Sequence, residues 1–216
     1  MSYQHVLPNS DDEQLGSIKA VLFDLDGTLV HSQLNFPQIR QDLGCPEGED
    51  VLSFVANLAS TEKQQAEKII RKHEMEDAHS ARLISGANAL LDRLAGLEIK
   101  TAIITRNSFD ATHIKLRHCK IQVSDVLTRE DAPAKPDPQA LLHFSEQWKL
   151  SPDECVYVGD YLYDLQAANN AGMHACLFMD DRAQEKPPKF ISLADFVCHD
   201  YSLFESQLQH YLKTKS

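Results

Sequence analysis

Apolar runs that stop abruptly at a polar group recur along this chain, and few folds accommodate them. Ile18–Phe23 stops at Asp24, Thr101–Ile104 at Thr105, and Cys155–Val158 at Gly159–Asp160. Ala20, Val21, Leu22 and Phe23 are continuously apolar, the pattern of a strand buried on both faces. After Gly86 such runs alternate with helical segments: 87–95, 108–118, a helix through about Lys149, and one ending near Asn170 before Gly172. Asp137 is the natural N-cap of the third of these, with Pro138 in its first turn. Val123–Leu127, His174–Met179 and Phe196–Cys198 supply further strands, and a helix closes the chain. Strands separated by helices of this length predict an α/β fold, a parallel sheet with right-handed crossovers.

Residues 31–84 break this rhythm. They contain no convincing strand. Helices are expected over 36–43, over 48–59, and from Thr61, with Gln64 as a possible capping-box partner, through about Arg82. The apolar stripe of the last helix is thin (Ala66, Ile69, Ile70), which suits a small helical module inserted into the core. The expected division is a loose extension over 1–17, a core over 18–30 and 85–216, and a helical insertion over 31–84.

Composition narrows the function. With 43% apolar and 25% charged residues in 216, the chain is globular rather than disordered. The 21 basic and 32 acidic residues give a net charge of −11, which disfavours nucleic acid as a partner. No apolar run approaches the roughly 18 residues of a membrane span. Asp11, Asp12 and Glu13 exclude a signal peptide over the first residues. Five scattered cysteines (45, 119, 155, 176 and 198) without a Cys-x-x-Cys predict buried thiols in a reducing, cytoplasmic setting.

Ligands of open parallel sheets bind outside the carboxyl ends of the strands. Asp24, Thr105 and Asp160, far apart in sequence, are therefore expected at one crevice. In Asp24-Leu25-Asp26-Gly27-Thr28, a turn at Gly27 would bring Asp26 over Asp24; the alternative is an Asp pair that caps a helix. Asp164, four residues after Asp160, is able to join the same group, or to be a solvated helix charge. Clustered carboxylates repel unless a cation neutralises them, and Mg²⁺ is held by such groups together with phosphate. Lys135, before Pro136-Asp137-Pro138, is able to neutralise a carboxylate and a phosphate, or is a surface lysine ahead of a helix. Thr105-Arg106-Asn107, between a strand and a helix, offers a hydroxyl, backbone N–H groups and a helix N-terminus to an anion, or simply caps that helix. Trp148, Leu141, Leu142 and Phe144 read as core.

Four motifs together resemble the haloacid-dehalogenase-like (HAD) superfamily of hydrolases, subfamily IA, its phosphoglycolate-phosphatase-like branch. They are Asp24-Leu25-Asp26-Gly27-Thr28-Leu29, Ile104-Thr105-Arg106-Asn107, Lys135-Pro136-Asp137-Pro138, and Val158-Gly159-Asp160 with Asp164. The resemblance spans about residues 18–180. It implies a Rossmann-like core with a small α-helical C1-type cap. It also implies an Mg²⁺-dependent phosphatase acting on a small phosphorylated metabolite, as a monomer or small homo-oligomer. By resemblance Asp24 is the nucleophile and Asp26 the general acid/base. Thr105 and Lys135 stabilise the aspartyl-phosphate. Gly27, Thr105, Arg106, Asn107 and Lys135 contact the phosphate. Asp24, the Asp26 backbone carbonyl and Asp160 ligate the metal, with Asp164 as a ligand or just behind. The dehalogenases of the superfamily lack an acid at the place of Asp26, so dehalogenation is disfavoured. His31 and Tyr161 depart from the common pattern, which has an acidic residue and a small Ser or Asn there. A phosphomutase of the β-phosphoglucomutase-like type shares all four motifs. A phosphate-sensing binding protein is the non-catalytic alternative. Arg40, Arg71, Arg82 and His79 are candidate substrate readers in the helical insertion.

Overall fold

The computed structural model describes residues 16–180 and 187–215. The expected extension over 1–17 lies outside them, apart from Gly16 and Ser17. The strands are β1 (Ala20–Phe23), β2 (Val30–His31), β3 (Arg82–Leu83), β4 (Lys100–Ile104), β5 (Asp125–Leu127), β6 (Cys155–Gly159), β7 (His174–Phe178) and β8 (Phe196–Cys198). The helices are α1 (Phe36–Leu43), α2 (Val51–Ala56), α3 (Ser60–Ala78), α4 (Ala87–Gly96), α5 (Phe109–His118), α6 (Gln139–Trp148), α7 (Leu162–Ala171) and α8 (Phe204–Lys215).

Six strands form one parallel sheet in the order β5-β4-β1-β6-β7-β8. The chain first builds outward from β1 to β4 and β5, then reverses to β6, β7 and β8. The reversal opens a crevice beyond the carboxyl ends of β1 and β6, where open α/β sheets bind ligands. All four residues of β1 are buried, because helices cover both faces. Alternation sends Val21 and Phe23 to one face, against Leu90, Leu94, Phe204 and Leu208. Ala20 and Leu22 face the other, against Leu141, Phe144, Leu165 and Ala168. Each large apolar side chain buried in these layers contributes about 1.5–3 kcal/mol.

Helices α1–α3 keep a third, small cluster of their own: Ile39, Cys45, Val51, Val55, Ala66 and Ile70. Asn35 and Asp50 cap α1 and α2, accepting from the backbone N–H groups of Gln38 and Ser53.

Several local expectations need correction. Segment 31–84 is not free of strands: β2 and β3 pair antiparallel, Val30 with Leu83 and His31 with Arg82, where the chain enters and leaves the helical layer. Helix α3 ends at Ala78, and Arg82 belongs to β3. Pairing with β2 claims the backbone there. Thr61 does not cap α3; Ala59 precedes it without a side-chain hydrogen bond. Pro138, not Asp137, is the N-cap of α6, while Asp137 accepts from Gln139 N one step outside. The second helix is shorter than expected, and Val123–Leu127 forms ladder bonds only from Asp125.

Candidate active site

A cavity of about 560 Å³ lies between the strand ends and α1–α3. Asp24, Asp26, Gly27, Thr105, Arg106, Asn107, Lys135, Asp160 and Asp164 all line it. The buried strands deliver these residues to it. Asp24 continues β1, its N–H donating to the Val158 carbonyl of β6 at 2.8 Å. Thr105 continues β4, its N–H donating to the Leu127 carbonyl at 3.0 Å. Asp160 follows β6, and Asp164 sits in the first turn of α7.

Two glycines set how closely the acids approach. A Cβ at Gly27, whose φ is 76°, would run into the Asp160 carboxylate. A Cβ at Gly159 would run into the side chain of Asp164. Only glycine lets backbone and carboxylates pack this tightly.

Lys135 stands at the centre, 4% exposed. Its ammonium donates to Asp24 Oδ1 at 2.5 Å, Asp164 Oδ1 at 2.6 Å, the Tyr157 hydroxyl at 2.8 Å and the Ile104 carbonyl at 3.0 Å. Tyr157 in turn donates to the Ile104 carbonyl. Burial disfavours the ammonium, but Asp164 and Asp24 outweigh it and hold Lys135 well above its ordinary pKa. Burial also pushes the Asp24 carboxyl up to about 7; Lys135 opposes this, and Asp164 and Asp26 add to it. Burial, then Asp164 and Asp24, push Asp160 well above the carboxylate range. One oxygen from each of Asp24, Asp160 and Asp164 lies within 4.8 Å of the others. Three carboxylates and one ammonium leave negative charge uncompensated, and hard oxygens at this spacing suit a divalent cation.

Asp26 is built differently. One of its oxygens accepts from Asn107 Nδ2, and Oδ1 accepts from Lys115 Nζ at 2.5 Å. Leu25 O accepts from the N–H groups of Leu29 and Val30, a turn that aims Asp26 into the cavity. Thr105 Oγ1 accepts from Asn107 N at 3.1 Å, fixing the start of the loop to α5. The Arg106 side chain turns to the helical layer, donating to Asp50, with its guanidinium 4.8 Å from the centre of the Tyr163 ring. Arg129 pairs with Glu74 of α3, which also accepts from Ser108 N.

Of the four candidate readers, only Arg40 lines the cavity, with Nη2 donating to the Glu49 carbonyl. Arg71 pairs with Asp110 and Glu130, Arg82 is exposed in β3, and His79 Nδ1 is 2.7 Å from the Met75 carbonyl. Sequence reasoning missed Lys115, Asp77, Asp50, Glu74, Arg129 and Tyr157. One signal for Lys115 exists: it occupies the apolar face of α5 with Ala111, Thr112 and Leu116, where a lysine needs a buried partner.

The pattern of the haloacid dehalogenase-like hydrolase family matches residues 21–178. The chain belongs to that family. It is 31% identical to a haloacid dehalogenase-like hydrolase domain-containing protein of Arabidopsis thaliana over 185 residues, 80% of this chain and 75% of the other. It is 30% identical to the phosphoglycolate phosphatase of Thiobacillus denitrificans, over 72% of this chain and 80% of that one. Among solved structures, a hydrolase from Pseudomonas syringae shares the fold, with a TM-score of 0.74 at 20% identity, over 91% of this chain and 98% of that chain. The parallel sheet of this hydrolase is that of the HAD fold. Its relatives include phosphatases, and no helix among the described residues is long and apolar enough to cross a membrane.

Proposed function

We propose that this HAD hydrolase is an Mg²⁺-dependent phosphatase that hydrolyses a small phosphomonoester through an aspartyl-phosphate on Asp24. The observation that carries the reading is the Lys135 ammonium bridging Asp24 and Asp164 beside Asp160, at the carboxyl end of β1. Asp24, Asp160 and the Asp26 backbone carbonyl would hold Mg²⁺, with Asp164 fixing Lys135 and Tyr161 N behind them. The metal supplies charge neutralisation for a phosphate dianion facing a carboxylate nucleophile.

The chain's own residues do the rest. An Asp24 oxygen attacks phosphorus as the bond to the leaving oxygen breaks, and Asp26 gives its proton to that oxygen. Asp26, now a carboxylate, takes a proton from water. The water oxygen attacks phosphorus, the bond to Asp24 breaks, and inorganic phosphate leaves. Lys135, the Thr105 hydroxyl and the backbone around Gly27, Arg106 and Asn107 bind the phosphoryl oxygens. Residues 31–84 act as the cap that limits water and selects substrate, over a core of 18–30 and 85–216. The five buried, unpaired thiols favour a reducing, cytoplasmic setting.

The test is hydrolysis of p-nitrophenyl phosphate with and without Mg²⁺, beside Asp24→Asn. Mg²⁺-dependent turnover that falls by at least about 10³-fold in the folded variant is expected. Turnover near wild type in Asp24→Asn would remove Asp24 as the nucleophile.

A further inference from the structure

Lys115 is a cation with 0% side-chain exposure, on the core helix α5. Its ammonium meets Asp26 Oδ1 at 2.5 Å and Asp77 Oδ2 at 2.6 Å. Asp77 lies in the last turn of α3, where the chain is about to leave the helical layer. The same Asp77 carboxylate accepts from Gln33 N at 2.6 Å and from Ser32 Oγ at 2.9 Å. Ser32 and Gln33 follow directly on β2, where the chain enters that layer. Asp77 thus joins the incoming and outgoing segments, and Lys115 joins both to Asp26.

Burying an ammonium carries a desolvation cost of several kcal/mol, and a pin that only held α5 to α3 would be at least as stable if apolar. A charged pin does something an apolar one cannot: it orients a carboxylate. Lys115 takes one Asp26 oxygen and Asn107 the other, while Asp26 stays 22% exposed to the cavity. We propose that Lys115 is a positioning residue that aims Asp26 at the leaving oxygen, and that Asp77 makes this aim depend on the seating of the helical layer. The inference rests on the phosphatase reading above, with Asp26 as its acid. Asp77, at the end of α3 and bonded to the segment that follows β2, is one of two anchors for the ammonium. When it withdraws, Asp26 loses a fixed partner, so protonation of the leaving group is tied to closure over a substrate.

A lost general acid harms poor leaving groups selectively, which a general loss of structure does not. The experiment compares kcat/KM for p-nitrophenyl phosphate and phenyl phosphate, both with Mg²⁺, in wild type, Lys115→Met and Asp77→Asn. In Lys115→Met, phenyl phosphate is expected to lose about 10²-fold and p-nitrophenyl phosphate less than about 5-fold, the scale of general acid catalysis. Asp77→Asn shifts the ratio the same way by about 5-fold. Equal losses on both substrates, or none, in a folded Lys115→Met would overturn the proposal. If Lys115→Met does not fold, the ratio in Asp77→Asn decides by itself. A wild type inactive on both esters brings down the phosphatase reading and this inference with it. An active wild type with a flat ratio in the variants overturns the inference alone.

Discussion

Arg106 Nη2 donates to both carboxylate oxygens of Asp50, each at 2.7 Å, tying the loop after β4 to the N-cap of α2. The pair spans 56 residues of sequence and closes one side of the cavity. With Arg129–Glu74, Arg71–Asp110 and Lys115–Asp77, it makes the junction between the sheet and the helical layer strongly ionic. Polar junctions of this kind permit relative motion more readily than large apolar ones.

Asp50 makes this junction pH-sensitive. Burial raises its carboxyl, but hydrogen bonds from Arg106 and Ser53 outweigh burial and leave it below the ordinary 3.8. A depressed carboxyl adds stability above its unfolded value and loses it as pH falls through the folded one. Asp50→Asn, which keeps the helix cap, is expected to cost about 1 kcal/mol near neutral pH. The difference from wild type in urea unfolding should vanish as pH drops below 3.8. Asp50→Ala, which also removes the cap, should cost about 1 kcal/mol more.

Lys135→Met should be among the most damaging single changes. It leaves the buried Asp24 and Asp164 and the partly buried Asp160 around an uncharged stem, a loss of about 3–5 kcal/mol. Urea unfolding measures the loss, and added Mg²⁺ should recover part of it. Turnover should not recover.

Asp160→Asn should have the opposite effect on metal-free protein. It removes one of three mutually repelling carboxylates, so the melting temperature rises. The upshift that Mg²⁺ gives wild type should shrink or disappear. An undiminished Mg²⁺ upshift in the variant would remove Asp160 from the metal site.

The thiols give a separate test of burial. Burial pushes Cys155 and Cys198 up to about 12, and it raises Cys45, Cys119 and Cys176 as well. Native protein should react slowly with a disulfide reagent near pH 8, and denatured protein should release five thiols. A thiol raised in the folded state keeps its full contribution below the unfolded value of 9.0. Stability should therefore fall as pH rises from 9.0 toward 12.

The sequence by itself determined the sheet and the place of its site. Runs such as Ala20–Phe23 admit water on neither face, so they must be interior strands. Interior parallel strands put Asp24, Thr105 and Asp160 at one rim whatever the helices do. The pairing of β2 with β3 is not legible in the sequence because two residues carry no periodicity, and it exists only once both ends of the helical layer meet. The ends of α3 and α6 were set by ladder bonds and turns rather than by capping residues.

What only the tertiary structure decided is which charge faces which. Lys115 meets Asp26 across 89 residues, Lys135 meets Asp24 across 111, and Arg129 meets Glu74 across 55. Hydrophobic periodicity reports which side of a segment is buried, because burial is a property of one element against solvent. An ion pair is a property of two elements in a definite orientation, and it has no local signature. The chain's order therefore placed the acids at one rim, and the packing of segments distant in sequence decided which lysine holds which acid.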